Sequence, residues 1–150
     1  MYNCEALQNT GYFNNAHHII ALKEESASIS RGIIAAVGID INSATNGILL
    51  PHVDSNTPYP LWAITESGHT NYHDRDYFTI VQNELIEALR IYDKDLPAII
   101  RNNSSTEQEV TEALKKYINN DEKIKEELNK IICDCIFEIK IDLLNGELNL

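Results

Sequence analysis

The chain has 150 residues, of which 43% are hydrophobic and 23% charged, and a formal net charge of −11. This length is enough for one domain with its own core, and the composition is typical of a soluble globular protein. The sequence contains no apolar run long enough to cross a membrane, and its first residues lack the basic and apolar regions of a secretory signal. Three cysteines do not make a disulfide framework, so we expect a cytosolic protein with reduced thiols.

The acidic excess extends along the whole chain. Residues 1–102 carry 12 acidic and 6 basic side chains, and residues 103–150 carry 11 and 6. Non-specific nucleic-acid binding depends on Lys and Arg side chains that displace counterions from phosphates. The absence of any basic run excludes a protein that holds nucleic acid through a basic stripe. The acidity indicates instead solubility or a basic partner.

The first half of the chain predicts two short strands around a helix. The β-branched run at residues 17–20 predicts a strand, and residues 26–37 have the apolar spacing of a helix, with Gly38 following as its C′ residue. Asn46-Gly47 is a turn signal, and residues 48–50 predict a second strand that ends at Pro51.

The second half predicts mainly helices. A polar loop over residues 52–68 leads into a helix from about His69 to Asp93. Thr106 and Glu109 form a capping-box pattern for a helix that ends near residue 118. Residues 121–144 fit both strand alternation and the helical period, and the Asn-Gly pair that follows favours the helix. The expected fold class is therefore α+β and mostly α.

Four of the five histidines fall into two tight arrangements, the adjacent pair His17-His18 and the pair His69 and His73. Two histidines four residues apart lie on one face of a helix, where they can bind one metal ion. Neighbouring residues in a strand point to opposite faces. One histidine of the adjacent pair could therefore complete a three-histidine metal site, while the other remains available for proton transfer.

Such a layout suits the hydrolysis of a phosphodiester. The reaction needs a deprotonated water, stabilisation of charge on the phosphate oxygens and help for the leaving oxygen. An imidazole titrates near neutral pH and can activate the water. We therefore expect His17, His69 and His73 to hold the metal and His18 to be the general base.

Three ordered segments resemble the AHH nucleases, a branch of the HNH/endonuclease VII superfamily with the ββα-metal fold. They are AHHII at residues 16–20, GIDIN at 38–42 together with NGILLP at 46–51, and the HxxxH pattern at 69–73. The resemblance covers roughly residues 16–92. It implies a small ββα-metal nuclease core over this range, with additional helices at about 103–150, within a single domain of residues 1–150.

The resemblance also implies a function and partners. It indicates a metal-dependent endonuclease that hydrolyses DNA, with RNA as the alternative substrate, using one divalent ion (Zn²⁺, Ni²⁺, Mn²⁺ or Mg²⁺). Related chains are toxin domains paired with immunity proteins, so a cognate immunity protein is an expected partner, and a membrane is not. As a toxin effector, the chain would be delivered by a secretion system into the cytoplasm of a target cell.

For the site, the resemblance implies His18 as the general base and His17, His69 and His73 as metal ligands. It adds Asn46 as the residue that ties the loop between the strands and orients the base; the alternative is a simple turn residue before Gly47. Asn42 is a second, weaker candidate for this bridge, and both asparagines lie within the matching segments.

The chain departs from the family pattern at three positions. Ala21 stands where a proline often follows HHII, Asn71 replaces the glycine of HxGxH, and the expected tyrosine appears one residue late as Tyr77. Tyr77 could contact a phosphate or pack in the core. A competing register would align Thr65 and His69 with the two histidines of HxGxH, but it would leave a hydroxyl where a ligand is needed.

Two non-catalytic alternatives use the same residues. In one, the histidines hold a structural zinc ion with four protein ligands. In the other, a degenerate nuclease fold serves as a protein-interaction module, which the acidic charge and Asn71 would favour.

Overall fold

The computed structural model describes residues 14–51, 75–103, 105–145 and 147–148. In these ranges the chain forms two strands and five α-helices, so the predicted α+β, mostly α class is confirmed. The strands are β1 and β2, and the helices are α1 to α5, with the bounds Asn14–His18 (β1), Ser28–Ala36 (α1), Gly47–Pro51 (β2), Arg75–Ala88 (α2), Leu96–Asn103 (α3), Glu107–Ile118 (α4) and Glu122–Asn145 (α5). Of the helices described, none is both long and apolar enough to span a membrane.

The two strands form a small antiparallel sheet in which His18 pairs with Gly47 and Asn14 with Pro51. The second strand lies where it was predicted. The first strand ends at His18, so the prediction of a strand over residues 17–20 was wrong for its last two residues. The reason is the partner strand: β2 begins only at Gly47, because the preceding residues 44–46 form a one-turn 3₁₀ helix.

Helix α1 follows a one-turn 3₁₀ helix at Glu25–Ala27 and confirms the helix predicted over residues 26–37. Gly38 adopts a φ of +81°, a left-handed conformation that favours glycine. The N–H of Gly38 donates to the carbonyl of Ala35, and the N–H of Ile39 donates to the carbonyl of Ile34. This pair of bonds is a Schellman motif, which confirms Gly38 as the C′ residue.

The helix predicted from about His69 to Asp93 is observed from Arg75 to Ala88, followed by a 3₁₀ turn at Leu89–Ile91. Residues 69–74 lie outside the described residues, so the proposed common helix face of His69 and His73 stays a prediction.

The C-terminal predictions are confirmed by side-chain contacts and by the backbone. Thr106 accepts from the N–H of Glu109, whose carboxylate accepts from the N–H of Thr106, as a capping box requires. Residues Glu122–Asn145 form one helix, which decides the choice between helix and strand. Its buried positions recur every three or four residues, at Leu128, Ile132, Ile136, Ile139 and Leu143.

Among the residues that the structure describes, the core is one hydrophobic cluster to which the segment after β1 and the helices contribute. Helices α1 and α4 lie close together at Gly32. A Cβ built on this glycine would lie 2.6 Å from the carbonyl oxygen of Glu107 and 2.9 Å from the Cβ of Val110. The absence of a side chain at residue 32 therefore allows the C-terminal helices to pack against the helix that follows the histidine pair.

We predict that Gly32→Ala destabilises the protein by about 1–3 kcal/mol, because overpacking exceeds the gain of about 1 kcal/mol in helix propensity. Gly47→Ala is the matched control, since its Cβ would meet no atom closer than 3.7 Å. Urea denaturation of the two variants and the wild type measures the difference. A Gly32→Ala variant as stable as the wild type would show that α1 and α4 are not in contact at this residue.

Candidate functional site

The histidine pair lies at the end of β1, with its two side chains in different environments. His17 is buried, with 3% of its surface exposed, whereas His18 is half-buried. They are consecutive strand residues, opposite Ile48 and Gly47 of β2, so their side chains leave the sheet on opposite faces. One imidazole is therefore held within the protein, while its neighbour reaches the surface.

The two residues after the pair leave the sheet but remain completely buried. Ile19 and Ile20 are both 0% exposed, so their backbone groups must find partners inside the protein. The N–H of Ile19 donates to the carbonyl of Asn46 (2.8 Å), and the carbonyl of Ile19 accepts from the hydroxyl of Tyr77 (3.1 Å). The N–H and carbonyl of Ile20 both bond to the side chain of Asn46. Two residues thus satisfy all four groups.

Asn46 uses its whole carboxamide for this purpose. Its Oδ1 accepts from the N–H of Ile20 (2.8 Å), and its Nδ2 donates to the carbonyls of Ile20 (3.0 Å) and Ile41 (2.8 Å). A flipped amide would place its oxygen against two carbonyl oxygens, so the bonds define the orientation. With 0% of its surface exposed, Asn46 fastens the residues after His18 to the loop before β2.

Tyr77 of α2 occupies the core beside His17. It is 1% exposed, and its ring meets the imidazole edge to face with the centroids 5.7 Å apart. Its hydroxyl donates to the carbonyl of Ile19 and lies 3.2 Å from Nε2 of His17. Burial raises the pKa of Tyr77 well above its usual range, so the hydroxyl keeps its proton. The structure thus places this predicted residue behind the histidine.

Charged residues from other elements hold the backbone around the pair. Lys140 of α5 donates from Nζ to the carbonyl of Ala44 (2.8 Å), within the 3₁₀ turn that ends at Asn46. Arg31 of α1 donates to the carbonyls of Ala21 (3.0 Å) and Glu24 (2.6 Å). Burial lowers the pKa of Lys140, but its ammonium group reaches a backbone oxygen.

Sequence reasoning missed these two cations, because neither belongs to a motif. Arg31 and Lys140 lie in ordinary amphipathic helices, and they hold this segment through backbone carbonyls. Arg31 also forms an ion pair with the carboxylate of Glu107. Every residue has a backbone carbonyl, so the residue types in the sequence do not indicate which carbonyl accepts such a bond.

The remaining predicted site residues are distributed as follows. Asn42 is exposed, and its N–H donates to the carboxylate of Asp40. The predicted ligands His69 and His73 lie outside the described residues, as do Thr65 and Asn71. Within the ranges that the structure describes, no three His, Cys, Asp or Glu side chains form a cluster that could hold a metal ion.

The fold and the site define a class: a small α+β protein in which two strands precede a helix and the first strand ends in adjacent histidines. A family model described as AHH, a nuclease family of the HNH/ENDO VII superfamily with conserved AHH, matches residues 6–134. The chain belongs to this family, and Ala16, His17 and His18 are its AHH residues. Among curated proteins and among solved structures, no match was found.

Membership makes the protein a phosphodiester hydrolase of HNH type and implies a divalent metal ion. His17 fits the role of a ligand. Ring nitrogens of histidine bind Zn²⁺, Ni²⁺ and related ions, and a ligating histidine usually has its other nitrogen hydrogen-bonded to the protein. Nε2 of His17 has such a partner in the hydroxyl of Tyr77, and burial fixes the ring.

We predict that Asn46→Ala destabilises the protein by about 2 kcal/mol or more, because it removes the partners of two buried backbone groups of Ile20, at about 1–3 kcal/mol each, and of the half-buried carbonyl of Ile41. The amide of Ile20 should also lose its protection against hydrogen exchange. Urea denaturation and exchange measured by NMR test this prediction.

The matched control is Asn42→Ala, which removes an exposed carboxamide from the same loop and should change stability by less than about 0.5 kcal/mol. Equal effects of the two alanine substitutions would contradict the bonding of Asn46.

Proposed function

We propose that the protein is a metal-dependent endonuclease that cleaves DNA, with His18 as the general base and His17, His69 and His73 as metal ligands. The observation that carries the proposal is the division of the AHH pair into one buried and one half-buried imidazole. A ligand benefits from a fixed ring, whereas a base must meet water and exchange its proton with solvent. The two environments correspond to these two tasks.

In this proposal His18 accepts a proton from the attacking water, which must lie within hydrogen-bond distance of the imidazole. When bound, a divalent ion would stabilise negative charge on the phosphate oxygens. His17 would contribute a neutral nitrogen ligand from inside the protein. The proposed base and the proposed ligand are adjacent residues of β1. Their backbones are therefore only one strand residue apart, which keeps the base close to the metal.

Asn46 acts in this scheme as a positioning residue. Its carboxamide is buried and fully bonded to backbone, so it supports the base through the chain that follows His18. Fixing Ile19 and Ile20 fixes the end of β1, and with it the direction in which His18 leaves the sheet. The exposed Asn42 of the same loop is proposed as a weaker contact to substrate.

We predict that His18→Ala lowers the cleavage rate by about 10²–10⁴-fold, the range for loss of a general base, while metal binding is retained. His17→Gln should lower both the cleavage rate and the affinity for metal. The experiment compares wild type and both variants on supercoiled plasmid, linear duplex, single-stranded DNA and RNA, with Mg²⁺, Mn²⁺, Ni²⁺ or Zn²⁺. Metal binding is measured separately by competition with a chromophoric chelator.

The outcomes separate the alternatives. Cleavage of RNA alone would replace the proposed substrate. Tight metal binding without EDTA-sensitive cleavage of any nucleic acid would favour the structural-zinc alternative. A His18→Ala variant with wild-type activity would remove this residue from the mechanism.

We further propose that the chain is a toxin effector with a cognate immunity protein. Its support is the resemblance to toxin-type AHH nucleases and the net charge of −11, which favours association with a basic partner. Such charge complementarity would accelerate binding of an inhibitor and make it sensitive to salt.

We predict that expression of the wild-type chain in the cytoplasm of a bacterial host arrests growth and fragments DNA. The His18→Ala variant, expressed to the same soluble level, should allow normal growth because it differs only in the proposed base. Colony counts and chromosomal DNA on gels provide the measurement. Normal growth with the soluble wild-type protein would contradict the toxin proposal.

A further inference from the structure

The hydroxyl of Tyr77 links His17 to the backbone two residues further along the chain. Nε2 of His17 lies 3.2 Å from the hydroxyl oxygen, and the hydroxyl donates to the carbonyl of Ile19 at 3.1 Å. Both contacts are buried. The first joins β1 to α2 across 60 residues of sequence, and the second joins α2 to the segment that follows β1. The hydroxyl has one hydrogen, so the direction of one bond determines the direction of the other.

The carbonyl of Ile19 can only accept a hydrogen bond. It belongs to a residue that is 0% exposed, so the hydrogen of Tyr77 satisfies a buried acceptor. The hydroxyl oxygen must then accept from His17, which requires a hydrogen on Nε2. In a neutral imidazole with Nε2 protonated, the lone pair lies on Nδ1.

We infer that Tyr77 is a positioning residue that holds His17 in the Nε2–H tautomer and thereby makes Nδ1 the atom that coordinates the metal ion. This inference rests on the proposed role of His17 as a ligand. Nothing in the family pattern of residue types specifies which nitrogen is used. The hydrogen-bond chain from His17 through Tyr77 to Ile19 does specify it.

The arrangement orients the ring as well as its proton. The edge-to-face contact between the rings, with an interplanar angle of 62°, limits rotation of the imidazole about its side-chain bonds. The carbonyl of Ile19, which accepts the hydrogen bond from Tyr77, belongs to the segment of residues 19 and 20 that Asn46 also holds. A ligand whose second nitrogen is anchored in this way loses little freedom when it binds a metal.

The first test reads the tautomer directly in the metal-free wild-type protein. Long-range ¹H–¹⁵N correlation spectra distinguish Nε2–H from Nδ1–H in the neutral form of a histidine ring, and His17→Gln identifies the signals of His17. The Nε2–H pattern is expected. The Nδ1–H pattern would overturn the inference without any further variant.

The second test uses Tyr77→Phe, which keeps the ring and removes only the hydroxyl. We expect His17 to lose its single tautomer and the affinity for Zn²⁺ or Co²⁺ to fall by about 10–100-fold, as for other residues that anchor metal ligands. Tyr117→Phe is the matched control, because it also removes a hydroxyl with a hydrogen bond, to Asp93 at 2.6 Å, away from the histidine pair. Its metal affinity should equal that of the wild type.

The two tests separate this inference from the proposed function. If His17→Gln weakens metal binding and Tyr77→Phe does not, His17 is a ligand and the role of Tyr77 is overturned. If His17→Gln leaves metal affinity unchanged, the ligand role fails and the assignment of Nδ1 fails with it. The tautomer itself is decided by the spectra of the metal-free protein in either case. Circular dichroism confirms that each variant is folded.

Discussion

The requirement to satisfy four buried backbone groups organises the site. Ile19 and Ile20 follow the histidine pair, leave the sheet and are completely buried, so neither water nor a neighbouring strand can provide their hydrogen bonds. Asn46 and Tyr77 provide them. Each of these residues therefore has a second effect: Asn46 fixes the chain after His18, and Tyr77 contacts the ring of His17. Folding of the core and preparation of the site depend on the same bonds.

The C-terminal helices support this arrangement, although they carry none of the predicted site residues. Helix α4 packs on α1 at Gly32, and α5 reaches the turn of Asn46 through Lys140. Asn129 of α5 also donates to the carbonyl of Val37 at the end of α1. An isolated two-stranded sheet is at best marginally stable in water. The helices therefore supply the packing that keeps the short strands and their loop in place.

Local signals predicted much of the fold, and long-range contacts account for what was missed. The capping box of Thr106 and Glu109, together with the C′ role of Gly38, could be read from neighbouring residues because the bonds are local. Ile19 and Ile20 were assigned to a strand, since a β-branched run looks the same in a strand and in a buried turn. His17 and Tyr77 are 60 residues apart, so no periodic pattern of residue types in the sequence indicates their contact.

The acidic charge of the chain and the binding of a polyanion can be reconciled by distance. At physiological ionic strength, charges separated by more than about 8 Å are largely screened, so an acidic surface acts on a phosphate mainly where it is close. The described groups that bond to Nε2 of His17 and to the backbone of Ile19 and Ile20 are neutral: a phenol, a carboxamide and a backbone carbonyl. A carboxylate in place of the Tyr77 hydroxyl at Nε2 would have brought negative charge next to the proposed ligand. The hydroxyl of Tyr77 contacts Nε2 of His17 and donates to the carbonyl of Ile19. It therefore orients the ring and adds no charge that would repel the phosphate.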